Sequence, residues 1–128
     1  MNVIKGLGTD IVEVKRIARA LERHKQIFLD KIYTQKEQSY CTRFSDATPH
    51  FAGRFAAKEA CAKALGTGIG QEVSWLDLEI INNEKGQPEV ILSPYARTIF
   101  PGIVFFLSIS HSENYASATA IATHKIGN

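Results

Sequence analysis

His50-Phe51-Ala52-Gly53-Arg54-Phe55-Ala56-Ala57-Lys58-Glu59-Ala60-Cys61-Ala62-Lys63-Ala64-Leu65-Gly66-Thr67-Gly68-Ile69-Gly70 reads as one helix followed by a glycine loop. Ala and Leu are strong helix formers, and no proline interrupts the run. Gly66 follows Leu65, where a helix end favours a residue that accepts positive φ. Residues four apart share a side, so Glu59 lies beside Lys63 and Arg54 beside Lys58. Ala57, Ala60 and Ala64 form a third side without bulk. A helix with so little polar surface is expected to be mostly buried. A buried charge is unfavourable unless it is paired or binds something, which makes these four charges the strongest functional signal in the chain. Two readings stay open. Glu59 and Lys63 suit an ordinary surface ion pair, worth roughly a few tenths of a kcal/mol. They equally suit a site, because the Gly66–Gly70 loop is richer in glycine than a helix end needs, and such loops bring backbone N–H groups to phosphates. The loop follows a helix rather than a strand and lacks Gly-Lys-Ser/Thr, which excludes a P-loop and a dinucleotide-binding fingerprint.

Outward from this stretch, 128 residues make one expected domain, 1–128, with a real core. The formal net charge of +2 is too small for general nucleic-acid binding. Cys41 and Cys61 form neither a disulfide framework nor a metal-ligand spacing, and reduced thiols in a cytoplasmic protein are expected. No apolar run is long enough for a membrane span.

Upstream, Val3 to Val12 reads as a strand containing Gly6 and Gly8. Asp10 sits among apolar neighbours and is either the cap of the next helix or a functional carboxylate. Glu13 to His24 reads as an amphipathic helix with Val14, Ile17, Ala18 and Leu21 inward and a basic side of Lys15, Arg16, Arg19, Arg23 and Lys25. That side is either solvated or a docking surface for an acidic partner. Thr34 with Glu37 is a capping-box signal for another helix, and Phe44 to Pro49 reads as a linker. Downstream, Leu76–Ile81 and Pro88–Leu92 read as a hairpin around Asn82–Gly86. Ser93-Pro94 opens a short helix, and Ile103–Ile109 and Tyr115–Thr123 read as strands. Helices mostly first and antiparallel strands mostly after give an α+β class. His111 lies at a strand end among serines, suited to a structural role or to phosphate contact. No nucleophile elbow exists.

Three segments combine: Gly8-x-Asp10 with Arg16-Ile17; then Phe51-x-x-Arg54-Phe55-x-x-Lys58-Glu59-Ala60-x-x-Lys63-Ala64-x-Gly66-Thr67-Gly68; then Ser108-x-Ser110-His111. In this order and spacing, over about Val3 to Ala122, the chain closely resembles the holo-acyl-carrier-protein synthases, the short members of the 4′-phosphopantetheinyl transferase superfamily. The resemblance implies that superfamily's fold, with a long central helix on a mainly antiparallel sheet. It also implies transfer of 4′-phosphopantetheine from coenzyme A to a serine of apo-acyl carrier protein, releasing adenosine 3′,5′-bisphosphate, with Mg²⁺, in support of fatty acid biosynthesis. Asp10 and Glu59 match the metal-binding carboxylates, and Lys63 matches a lysine near the leaving phosphate. Arg54, Lys58, Lys63, Gly66, Thr67, Gly68, Ser110 and His111 match positions around coenzyme A. Arg16 and Arg23 match positions that dock the acidic carrier protein, while Ala20, Gln26 and Ile27 depart from the family's usual residues there. A homotrimer with active sites between protomers is implied as well.

Two further readings compete. A trimeric sensor that only binds a nucleotide or coenzyme A has no need of Asp10, Glu59 and Lys63 together. A metal-dependent cyclase or lyase usually calls for His-rich zinc ligation, which is missing near Asp10 and Glu59 in the sequence.

Overall fold

The computed structural model describes residues 1–125. Its elements in chain order are β1 (Asn2–Glu13), α1 (Val14–Ile32), α2 (Gln35–Cys41), α3 (Thr48–Leu65), β2 (Leu78–Asn82), β3 (Pro88–Leu92), α4 (Pro94–Ile99), β4 (Ile103–His111) and β5 (Tyr115–Lys125). The α+β expectation holds: β1, β5 and β4 form an antiparallel sheet in the order β1-β5-β4, and β2 and β3 form a separate hairpin.

The helix α3 is the central element. It is buried nearly all round, with Phe51, Ala52, Ala56, Ala57, Ala60, Cys61, Ala62, Ala64 and Leu65 all in the core. Its alanines let it lie on Ala116, Ala118, Ala120 and Ala122 of β5, which are buried as well. Small side chains on both surfaces bring helix and sheet close together. The approach is tightest at β1, where a Cβ on Gly6 would overlap the Ala64 carbonyl and one on Gly8 the Ala60 carbonyl. The two glycines that interrupt the strand pattern are therefore contact points. At the helix's other end, Gly53 faces Ile109 of β4.

Local signals in the sequence account for most boundaries. Thr34 and Glu37 form the capping box that opens α2. Ser93 accepts from the Ala96 N–H with Pro94 following, and opens α4. In the hairpin loop, the Asn83 side chain accepts from the Lys85 and Gln87 N–H groups while Gly86 takes φ 81°. Gly66 ends α3 at φ 86°. One feature has no sequence signal. Lys25 sits inside α1 at φ 48°, ψ −126° and kinks the helix.

The sheet's two faces differ. One is sealed by α3. The other is open: Leu7 of β1 and Phe106 of β4 both align with Ile121 of β5, and they are 65% and 59% exposed. Ile4, Ile11, Val104 and Tyr115 are also large and exposed.

Candidate active site

Asp10 belongs to β1, three residues before the cap of α1. That cap is Glu13, which makes no side-chain cap bond. The helix-cap reading of Asp10 thus gives way to a carboxylate on the sheet. Strand alternation places it on the same face as Gly8 and Val12, the face against α3. Because Gly8 meets the Ala60 carbonyl, the neighbouring turn of α3 comes to Asp10. Lys63 closes the corner, its Nζ donating to the Thr9 carbonyl at 2.9 Å and to Asp10 Oδ1 at 3.3 Å. The ion pair of Lys63 is therefore with Asp10 across 53 residues of chain, and not with Glu59 one turn away.

Glu59 shares this corner. Burial raises its pKa, the Asp10 charge raises it further, and Lys63 and Arg16 oppose the rise. Two carboxylates repel each other across this corner, with Lys63 and Arg16 as the opposing cations. Such a pair suits a hard divalent cation that takes one or two protein carboxylates and fills its other positions with phosphate oxygens and water. No group of three His, Cys, Asp or Glu side chains with metal-binding geometry occurs among the described residues.

Just beyond Lys63, Gly66 and Gly68 both take positive φ, and a Cβ on either would meet open space. The Thr67 and Gly68 N–H groups turn back to the Ala62 carbonyl, and the Thr67 hydroxyl donates to the Gly68 carbonyl. The loop is a structured, open rim beside the acidic corner.

Lys58 requires a correction. The resemblance implies a coenzyme A contact, but its ammonium is fully buried. Its three donors go to Glu37 Oε1 at 2.7 Å, the Ile32 carbonyl at 2.6 Å and the Trp75 carbonyl at 3.0 Å. No donor remains for a phosphate. Glu37 completes the knot by accepting from the Thr34 and Ile80 N–H groups. Burial pulls the Lys58 pKa down while Glu37 holds it up. This ion pair ties α2, α3 and β2 together and explains how a charge can sit in the core.

Arg54 is also buried. It packs over the Tyr40 ring at 4.1 Å and donates to Asn82 Oδ1, while its Nε has no partner among the described residues. His111 ends β4 on the α3 side, against His50. Ser110 points to the open face by strand alternation, so the structure separates Ser110 from His111 within one chain. Tyr40, Phe44 and His50, which surround this corner, were not marked by the sequence. Their signal is the aromatic spacing on either side of a turn-rich segment.

Arg16, Arg19, Ala20, Arg23 and His24 line a groove of about 360 Å³ on α1. A second groove of about 340 Å³ runs between Arg16, Arg19, Ile11 and Tyr115. Since the Arg16 charge reaches Glu59, the basic ridge and the acidic corner adjoin.

Residues 6–120 match the model of the 4′-phosphopantetheinyl transferase superfamily. The chain is 52% identical over 116 residues to a holo-[acyl-carrier-protein] synthase of Chlamydia felis, covering 91% of this chain and 94% of that protein. Among solved structures, it is similar to a holo-(acyl-carrier-protein) synthase from Bacillus anthracis in complex with CoA (3′,5′-ADP). There the TM-score is 0.82 at 40% identity, over 95% of this chain and 98% of that one. It is also similar to the Helicobacter pylori holo-[acyl-carrier-protein] synthase in complex with coenzyme A, with a TM-score of 0.83 at 38% identity over 91% and 98% of the two chains.

Proposed function

The chain belongs to the 4′-phosphopantetheinyl transferase superfamily, and we propose that it transfers 4′-phosphopantetheine from coenzyme A to a serine hydroxyl of apo-acyl carrier protein. The bonds broken are the pyrophosphate P–O bond and the serine O–H bond, the bond formed is the serine P–O bond, adenosine 3′,5′-bisphosphate leaves, and the serine proton is released to solvent. The observation that carries this reading is the meeting of Asp10, Lys63 and Glu59 where β1 crosses α3, in a chain about half identical to a named synthase.

Asp10 and Glu59 would hold Mg²⁺. The mutual repulsion of two hard oxygen donors, one of them with a raised pKa, is the fit, and the cation, when bound, would neutralise the diphosphate of coenzyme A. Lys63 is half exposed and fixed by Thr9 and Asp10, so its charge is oriented before any ligand arrives. In that position it offsets charge growing on the departing phosphate oxygen. Gly66, Thr67 and Gly68 border the same corner; their N–H groups are bound to the Lys63 and Ala62 carbonyls, so the loop would offer the phosphates room at Gly66 and Gly68 rather than the free N–H donors that the sequence suggested. Arg54 and His111 are assigned to coenzyme A at the far end of α3.

Arg16 and Arg23 on the basic ridge dock the acidic carrier protein, bringing its serine toward the corner beside Glu59. The open sheet face of Leu7, Ile11, Val104, Phe106 and Tyr115 is the proposed contact between copies in a homotrimer. An apolar surface of that kind is unusual on a lone protomer. In the trimer, the open-face Ser110 would lie near a neighbouring protomer. The cytoplasm is the proposed compartment, in keeping with buried free thiols at Cys41 and Cys61, and fatty acid biosynthesis is the proposed setting.

The test is mass spectrometry of apo-acyl carrier protein incubated with this protein, coenzyme A and MgCl₂. A gain equal to one phosphopantetheine group is expected. An unchanged carrier mass overturns the assignment.

A further inference from the structure

Far from the acidic corner, four rings meet at the start of α3. His50 stacks on Phe44 with centroids 3.6 Å apart and planes 14° from parallel. His111 meets His50 edge-on at 5.5 Å, and Tyr40 packs against Phe44 and His50. The Arg54 guanidinium covers Tyr40 at 4.1 Å, and Arg43 lies 5.4 Å from the same ring. Positive groups thus outnumber negative ones. His50 is faced by His111 from β4, Arg54 from its own helix and Tyr40 from α2, with Asp46 of the preceding loop as the one acid among its titrating neighbours. Arg54 is buried, and its Nε has no hydrogen-bond partner among the described residues. The backbone at the helix start adds little, because the Thr48 N–H donates to Asp46 and those of His50 and Phe51 to Ala47. An anion here is held by side chains.

We propose that His50 is a phosphate-binding residue of this site and takes up a proton when a phosphate group settles against the exposed edges of the His50 and His111 rings, on the Arg54 side. The inference rests on the reading of Arg54 and His111 as coenzyme A contacts. A neutral imidazole offers one N–H donor, whereas the protonated ring offers two and a charge. In the free protein, burial pushes the His50 pKa below its ordinary value, and His111 and Arg54 push it further. A dianionic phosphate reverses those charge effects and stabilises the protonated ring. Between the free and bound pKa values, binding therefore consumes a proton, and affinity declines as pH rises. Coenzyme A carries both a phosphate monoester and a diphosphate, and either supplies the required chemistry.

The experiment is isothermal titration of the whole protein with coenzyme A at pH 7.5 in two buffers of different ionisation enthalpy. Net proton uptake is expected. It is lost in His50→Phe, which keeps the stack on Phe44 but does not titrate. Coenzyme A affinity should fall by up to about tenfold from pH 7 to 8 in the parent protein, since one linked proton contributes at most that factor per pH unit, and by less in the variant. In the parent protein, NMR titration of the His50 ring should place its pKa higher with coenzyme A or inorganic phosphate than without. A His50 pKa that stays put overturns the proposal, as does unaltered proton uptake in a folded His50→Phe. Uptake with coenzyme A but not with 3′-dephospho-coenzyme A assigns the monoester, and equal uptake with both assigns the diphosphate. If His111→Ala leaves coenzyme A affinity intact, the assignment of the site falls, and this inference with it. If His111→Ala weakens binding while the His50 pKa is unmoved by ligand, the inference alone falls.

Discussion

Gly8 of β1 lies directly against the carbonyl of Ala60 in α3, with no room for a methyl group between them. Asp10 is two residues along the strand from that contact and Glu59 is one residue back along the helix. A single close crossing therefore sets the distance between the two acids. Gly8→Ala is expected to push strand and helix apart, at a destabilisation of about 1–3 kcal/mol. Denaturant unfolding measures that loss. Turnover at a temperature where the variant is folded should fall at least about tenfold, since small displacements of positioned groups are costly.

Glu59→Gln separates stability from activity. Its carboxyl has a raised pKa in the folded metal-free protein, so the folded state binds more protons there than the unfolded state. The resulting penalty is absent below the unfolded carboxyl pKa and is fully present above the folded one. The melting temperature of Glu59→Gln relative to the parent should therefore climb between pH 4 and pH 7 in metal-free buffer. Turnover should drop by about 10²–10³-fold, the scale for loss of a principal charge-stabilising group. A variant with near-normal turnover would remove Glu59 from the metal site.

Lys58→Met tests whether the buried ammonium serves the fold alone. Removing one partner of a buried ion pair leaves the Glu37 carboxylate uncompensated, and a loss of about 3–5 kcal/mol is expected in chemical denaturation. At a temperature where the variant remains folded, KM for coenzyme A should be little changed, because the ammonium has no donor free for a ligand.

Arg23→Glu should raise KM for the carrier protein at least about tenfold at low salt and leave KM for coenzyme A near its parent value. The effect should shrink at high ionic strength, as for exposed charges that guide encounter. Arg16→Glu should do the same and also lower kcat, because the Arg16 charge reaches Glu59. Equal changes in KM for both substrates would remove the docking role.

Lys25→Gly is expected to stabilise. Lys25 holds φ 48°, ψ −126°, a backbone region that glycine enters freely and a side chain enters at a cost of about 1–3 kcal/mol. Part of that is returned by the greater freedom of glycine in the unfolded chain, so a net gain near 1 kcal/mol is expected in denaturant unfolding.

Much of the fold was legible because its signals are local. The alanine-rich helix with Gly66 after it, the Thr34–Glu37 capping box, Ser93-Pro94 and the hairpin around Gly86 all stand where their residues predict. The site was legible only in part. Asp10 offered two readings because a strand acid three residues before a helix looks like a cap. Its partnership with Lys63 spans 53 positions, a separation no periodicity encodes. Lys58 was placed beside Arg54, one turn away, because spacing shows neighbours on the same helix and not partners on other elements. Its true partner, Glu37, was visible only as half of a capping box. Gly6 and Gly8 looked like breaks in a strand, since the helix that needs their emptiness lies some fifty residues later. His50 and Phe44 escaped notice because stacking across a turn leaves no repeat. The kink at Lys25 comes without the glycine or proline that would announce it.

The middle strand of the sheet, β5, also follows both β1 and β4 in the chain. On a ribosome, β1 and β4 would both emerge before the strand that pairs with them, leaving Asp10 on an unpaired ribbon until Tyr115–Lys125 clears the exit tunnel. A nascent chain stalled before that point would hold α3 and the hairpin but neither rib of the sheet. Pairing of β5, rather than the emergence of β1 or α3, would then be the moment at which the acidic corner is fixed to a sheet.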